Sequence, residues 1–256
     1  LQKKGLKYFI RLSYLGKAYC GWQIQPDQPS VQETLTKGIQ TALQEEIELV
    51  GSGRTDTGVH AKNYIAHFTC QTRIEDKTQF IFKINTLLPK DISMHSIWEV
   101  KDDAHARFNA LSRTYTYWVT QEKNPFLLDQ AYYVKRKLDL KQMNLAASEL
   151  KNYRNFKAFS KVKTQVYTYN CQVTEAHWKV LDNGVLAFTI TANRFLRNMV
   201  RSIVGTLIEV GLNKISLTDF KQIIESENRS NAGKSVPAEA LCLYQVTYPK
   251  ELTEHE

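Results

Sequence analysis

Residues Gly51 to Ala61 read GSGRTDTGVHA and set a carboxylate, Asp56, two residues after Arg54 in a stretch interrupted by Gly51, Gly53 and Gly58. A carboxylate so placed can attack carbon, activate a water, or cap a turn. The Asp-Thr-Gly triplet is also what an aspartic protease carries, but that chemistry needs two carboxylates sharing one proton. No second Asp-Thr-Gly or Asp-Ser-Gly occurs, and Asp182-Asn183-Gly184 lacks the hydroxyl and reads as a hairpin turn. A dimer would supply a second copy, yet the chain is longer than a small protease protomer requires. A phosphate loop fails on order. GxxxxGK[ST] needs a Gly-Lys step before a helix, whereas Gly58 is followed by Val59-His60, and the third glycine of GxGxxG is misplaced. There remains a turn pinned by Arg54 and Asp56, with glycines supplying positive φ. Against a purely architectural turn stands the crowding of an acid and a base in a tight loop, a cost accepted most often at functional sites.

The elements that must carry this loop follow from periodicity. Lys7 to Tyr14 alternates as a strand, with Tyr8, Ile10, Leu12 and Tyr14 on one face. Ser30-Val31-Gln32-Glu33 has the form of a capping box, and the helix it opens runs to about Glu45. Ile47 to Val50 is a short strand delivering the chain into the loop, and Tyr64 to Cys70 leads away as another. A helix over Asp76 to Leu88 stops at Pro89, and a strand covers Ile92 to Val100. The second half repeats this grammar. Arg113 to Gln121 is a strand with Tyr115 and Tyr117 on one face, and a helix begins at Asp139. Gln165 to Trp178 and Val185 to Ala192 form a hairpin across Asp182-Asn183-Gly184. The longest helix is expected from Asn193 or Arg194 to Val210, which would line Arg194, Arg197 and Arg201 along one side. A short helix opens at Ser216, and Ala240 to Tyr248 is the last strand. The hairpin rules out a wholly parallel sheet. The expected class is α+β: two similar halves, 1–106 and 107–256, forming a central, largely antiparallel mixed sheet flanked by helices.

Composition narrows the function classes. The 256 residues include 34 Lys plus Arg against 26 Asp plus Glu, a net charge of +8 that favours a polyanionic partner such as nucleic acid. No apolar run approaches the roughly 20 residues a bilayer span needs. Leu1-Gln2-Lys3-Lys4 leads straight into the first strand, so neither a signal peptide nor a membrane role is expected, and a soluble cytoplasmic protein is. Only the lead up to Gly5 and the tail after Tyr248 read as disordered. Cys20, Cys70, Cys171 and Cys242 are scattered and read as small buried thiols, and His60 and His67 have no third ligand at metal spacing. No metal is expected.

Gly53-Arg54-Thr55-Asp56-Thr57-Gly58-Val59-His60-Ala61 resembles the GRTDxGVHA signature of the tRNA pseudouridine synthase A family, and the likeness spans nearly the whole chain. Tyr14-Leu15-Gly16 through Tyr19-Cys20-Gly21-Trp22-Gln23 is similar to the family's YDG and Y.GWQ, and Ser30-Val31-Gln32-Glu33 to its helix start. Asn85, Leu88-Pro89 and Asp91-Ile92 resemble N..LP.DI. His105-Ala106-Arg107-Phe108 with Arg113 to Tyr117 resembles HARF and Y.Y. Asn198 to Gly205 resembles the MVR.IVG helix, and Pro237-Ala238 through Leu241 the closing PA..L strand. Leu15 stands where Asp is usual, Ala240 where Gly is usual, and Asn155-Phe156 where Asp-Phe is more frequent. None of these removes a residue assigned to chemistry.

The resemblance implies isomerisation of uridine to pseudouridine in the anticodon stem-loop of tRNA, by a homodimer in which one tRNA touches both protomers. It implies a catalytic cleft between the halves and no cofactor. Asp56 is then the nucleophile, toward the sugar or the base, and must be ionised, so a neighbouring cation is required. The family pattern assigns that role to Arg201. Tyr115 is the active-site tyrosine, stacking on the base and placed to take or relay the C5 proton. Leu241 would wall the apolar side, and Arg54 would contact phosphate or fill the gap left by a flipped base. Arg107, Arg113, Arg197, Arg194 and Lys17 are candidates for the RNA backbone, whereas Tyr117 reads as core. The rival readings are a tRNA-binding protein without catalysis and, more remotely, an acid protease.

Overall fold

The structure, a computed structural model, describes residues 5–162 and 166–253. The chain divides into two compact units, one running to Leu111 and resuming at Leu243, the other Ser112–Cys242. The last strand therefore starts in the second unit and ends in the first, which a division by chain position alone does not anticipate.

In the first unit, β1 (Leu6–Tyr14) leads to α1 (Val31–Leu43), β2 (Val50–Gly51), β3 (His60–Cys70), α2 (Lys77–Leu87) and β4 (Ile92–Val100). β1 lies between β3 and β4 and is antiparallel to both, while β2 pairs antiparallel with β3. The alternation expected for β1 holds, with Tyr8, Ile10, Leu12 and Tyr14 buried; Phe9 on the other face is buried too, under Trp98 and Tyr248. A strand covered on both faces loses the clean polar alternation. The Ser30 box is half formed. Ser30 Oγ accepts the Glu33 amide, but the Glu33 carboxylate turns to Lys37 one helical turn on.

In the second unit come β5 (Ser112–Thr120), β6 (Tyr132–Tyr133), α3 (Leu140–Glu149), β7 (Val173–Val180), β8 (Leu186–Ala192), α4 (Met199–Gly211) and α5 (Leu217–Glu225). β8 pairs antiparallel with β5 and β7, and β6 adds a short parallel pairing to β5. α3 packs on β7, α4 and α5. β9 (Leu241–Thr247) closes the chain beside β3. The class is α+β with mostly antiparallel pairing, as the hairpin requires, and the hairpin turns at Gly184 with φ 76°. Ser216 and Asp219 form a reciprocal capping box on α5.

Four expectations need correction. The short strand expected over Ile47 to Val50 is only Val50–Gly51. The longest helix does not start at Asn193 or Arg194. Asn198 adopts a left-handed φ of 66°, which asparagine tolerates better than most residues, and α4 begins only at Met199. Arg194 and Arg197 consequently sit in a loop and do not share a helix face with Arg201. The strand expected from Gln165 begins at Val173; Gln165 itself lies outside the described residues. The tail is partly ordered. Lys250–Leu252 form a 3-10 turn whose Leu252 is buried and accepts the Trp98 indole N–H at 3.1 Å. Of the remaining lead and tail, residues 1–4 and 254–256 lie outside the described residues. Among the described residues no helix is long and apolar enough to cross a membrane.

Candidate active site

The Asp56 loop is held from beneath by the 14–23 segment, so two motifs distant in sequence make one structure. Tyr14 Oη lies 2.8 Å from Thr55 Oγ1, and the Trp22 amide donates to the Thr55 carbonyl at 3.3 Å. The Gly58 amide reaches the Tyr19 carbonyl at 3.4 Å, and the Gly16 amide donates to His60 Nδ1 at 2.8 Å. At Gly21, φ is +87° and an added Cβ would fall 2.3 Å from the Thr55 carbonyl oxygen. Glycine is required there both for its conformation and for the close approach of the two backbones.

An aromatic cluster anchors the start of the loop. Trp22 stacks on Tyr64 with ring centroids 4.1 Å apart, Tyr14 lies 5.7 Å from Tyr64, and the Tyr64 hydroxyl donates to the Gly53 carbonyl. Asp91, from the N..LP.DI stretch, takes the Tyr19 hydroxyl at 2.8 Å through its carboxylate and the Leu15 amide at 2.9 Å through its carbonyl. Burial, reinforced by Asp91, raises the Tyr19 phenol well above its ordinary range, so it stays a neutral donor. Asn85 exchanges two amide bonds of 2.8 Å with Met94 at the edge of β4. These residues carry no chemistry themselves. Tyr14, Trp22 and Tyr64 hold the loop at Thr55 and Gly53, and its next turn closes through Val59 N–H to Asp56 C=O at 3.1 Å with Gly58 at φ 82°. Thr55 is buried, Asp56 half-buried and Arg54 exposed, so the loop offers its acid and its base to the surface while its core is locked.

In the second unit, Tyr115 stands half-buried on β5 with its ring edge-on to Phe195, centroids 5.1 Å apart. Tyr117, two residues on, is fully buried and donates its hydroxyl to the Pro237 carbonyl at 3.0 Å. Its phenol is raised by burial first and then by Glu239 and Tyr132, with Arg201 opposing, which makes Tyr117 a neutral core donor, as expected. Arg201 lies in the first turn of α4 and donates Nε to the Val236 carbonyl at 2.7 Å, while its own carbonyl accepts the Val236 amide at 3.3 Å. Segment 233–236 can lie this close because Gly205 has no side chain; a Cβ there would come within 1.9 Å of the Lys234 carbonyl oxygen. After Pro237 the chain makes a 3-10 turn over Ala238–Ala240 and enters β9 at Leu241, which is buried.

The other expected binding residues divide between the units. Arg107, in the first, is exposed, with its guanidinium 5.6 Å from the centre of the Phe108 ring. The His105 ring shapes that turn, its Nδ1 accepting the amides of Arg107 and Phe108 at 3.1 and 3.3 Å. Arg113 and Arg197 are in the second unit; Arg113 donates to the Asn193 carbonyl at 2.9 Å, and Arg197 is exposed in the loop before α4. His67 is a structural residue. Its Nδ1 accepts the Ala106 amide at 3.1 Å, and burial, with lesser repulsion from His105 and Lys7, lowers its pKa to about 4. Of the four thiols, Cys70, Cys171 and Cys242 are buried and Cys20 is half-exposed.

Sequence reading missed the positioning side chains Tyr14, Trp22 and Tyr64. The family's YDG and Y.GWQ motifs marked Tyr14 and Trp22 without giving them this role, and nothing marked Tyr64.

Comparisons with known proteins identify the family of the chain. The family model described as tRNA pseudouridine synthase matches residues 11–109 and 146–249. A tRNA pseudouridine synthase A of Porphyromonas gingivalis is 50% identical over 96% of this chain and 98% of its own, and that of Bacteroides fragilis 48% identical over 97% and 98%. A tRNA pseudouridine synthase A 2 of Clostridium perfringens is 38% identical over 93% and 98%. The chain belongs to the tRNA pseudouridine synthase family.

Proposed function

We propose that this protein isomerises uridine to pseudouridine in the anticodon stem-loop of tRNA, with Asp56 as the nucleophile. The observation that carries the reading is the locked 53–61 loop, which presents one carboxylate on a backbone held at Thr55, Gly58 and His60. Such rigidity suits a group that must meet a reacting atom, because misplacement by about 1 Å can cost some 10²-fold in rate.

The reaction breaks the C1′–N1 bond, forms C1′–C5, removes the C5 proton and returns a proton to N1. Nothing is oxidised and no group leaves, so no cofactor is called for. Asp56 attacks as a carboxylate, and Arg201, held by Val236 through Nε, supplies the compensating charge. Tyr115 stacks on the base and takes or relays the C5 proton, while Leu241 presses on its apolar side. Arg54 occupies the gap in the RNA or holds a phosphate, and Arg107, Arg113 and Arg197 contact the backbone. We further propose a cytoplasmic homodimer in which one tRNA touches both protomers, as the resemblance implies.

The test is to incubate the protein with unmodified tRNA and map pseudouridine by position. Product in the anticodon arm supports the reading. No product anywhere defeats the function, and product only outside that arm defeats the assignment of the site on tRNA.

A further inference from the structure

Between Leu150 and Thr174 the sequence carries Lys151, Arg154, Lys157, Lys161 and Lys163 and no acidic residue. Alternation with buried side chains gives residues 154–161 a fixed surface. Phe156, Ala158 and Phe159 are fully buried, Phe159 against Phe220 at 6.3 Å, whereas Arg154, Lys157 and Lys161 are exposed. Residues 169–171 are tied back to 154–156. The Phe156 amide donates to the Tyr169 carbonyl at 3.1 Å, the Cys171 amide to Arg154 at 2.9 Å, and Lys157 Nζ lies 5.7 Å over the Tyr169 ring. Tyr167 is fully exposed beside them.

The loop that precedes α4 docks on the same surface. The Lys161 amide donates to the Arg197 carbonyl at 3.0 Å, and the Arg194 guanidinium reaches the Thr168 carbonyl at 3.4 Å. Two separate cation-bearing segments are thereby brought together, next to the helix that carries Arg201. Lys157 also meets Glu227 at 3.7 Å, but a surface pair of this kind is worth little and gives way to a phosphate. Pre-ordered cations with an exposed aromatic ring fit one kind of partner, a nucleic-acid strand whose phosphates meet the lysines and whose base or ribose packs on the ring.

We propose that Arg154, Lys157, Lys161 and Tyr167 form a second RNA-contact surface, which holds a stretch of the tRNA away from the target uridine and leads it to the Arg194–Arg201 segment. This rests on the proposed function for the identity of the RNA. The surface acts on binding and registration, not on bond chemistry, so its loss enters KM.

The test measures binding of unmodified tRNA across salt concentrations, and pseudouridine formation, for the wild type, Lys157→Gln/Lys161→Gln and Tyr167→Ala. The double variant should weaken binding and make the log K against log salt slope shallower by roughly one per lysine. Tyr167→Ala should weaken binding about fivefold without altering the slope, because stacking releases no counterions. Lys157→Arg/Lys161→Arg should restore the wild-type slope, which separates lost charge from lost folding. Binding and slope equal to the wild type in both Lys→Gln and Tyr167→Ala variants overturns the surface and leaves the proposed function standing. A wild-type chain that binds tRNA through these lysines yet forms no pseudouridine overturns the function and leaves the surface standing.

Discussion

Arg201 and Tyr117 hold consecutive carbonyls of one segment: Arg201 Nε donates to Val236 at 2.7 Å and Tyr117 Oη to Pro237 at 3.0 Å. A core residue of β5 and a charged residue of α4 thus fix the same two peptide units, just before the turn that leads to Leu241. Removing the phenol leaves a carbonyl without its donor. Tyr117→Phe is expected to cost about 1–3 kcal/mol. Thermal unfolding should show a Tm lower by at least 2–4 °C, on the order expected per kcal/mol at this chain length. An unchanged Tm would show that the Pro237 carbonyl does not depend on this bond.

The Val236 contact also makes Arg201 more than a charge. A lysine keeps the charge but has no planar fork with which to bond the Val236 carbonyl and still present further donors. Arg201→Lys is expected to lower kcat by about 10²-fold, the usual loss on removing an aligned electrostatic donor. Single-turnover rates at saturating tRNA measure it; a rate near that of the wild type would reduce Arg201 to a counter-charge.

Gly21 tests the support of the Asp56 loop without touching the acid. Alanine there must adopt φ +87° and place Cβ 2.3 Å from the Thr55 carbonyl oxygen. Gly21→Ala is expected to destabilise by about 1–3 kcal/mol and to lower kcat more than it raises KM. Unfolding curves with steady-state kinetics separate the two effects. A variant with normal kcat would show that the loop tolerates displacement.

His67 gives the molecule a pH dependence unrelated to catalysis. Its pKa falls from 6.5 to about 4 on folding, so between these values the unfolded chain takes up a proton that the folded chain refuses. Stability should therefore decline as pH drops from about 6.5 toward 4. Asn at this position keeps a polar acceptor but does not titrate, so the stability of His67→Asn should fall less over that window. Tm measured at intervals across it decides the matter, and parallel curves would assign the acid sensitivity to other groups.

Local elements were legible because their signals are local. The bounds of β4 and the turn at Gly184 follow from alternation and turn chemistry, and the Ser216 box from three residues' spacing. The start of α4 was not legible, since Phe195, Met199 and Ile203 keep helical spacing across a backbone that Asn198 reverses. In the candidate site, the spacing within 53–61 marked Asp56, and the family pattern marked Tyr115 and Arg201. What escaped was the means of positioning. Tyr14 on Thr55 and Arg201 on Val236 are contacts between positions that no sequence window spans, and Tyr64 on Gly53 bonds back across a loop that carries no periodicity.

Under the proposed function Asp56 does chemistry rather than shape a turn. Release of tritium from C5 of uridine in unmodified tRNA measures this directly, because the C5 proton must leave in every turnover. Asp56→Asn keeps the size and hydrogen-bonding capacity of the side chain and removes the nucleophile. No release is expected from the variant, with tRNA bound within about threefold of the wild type, a difference of well under 1.4 kcal/mol. Release at an appreciable fraction of the wild-type rate would contradict it.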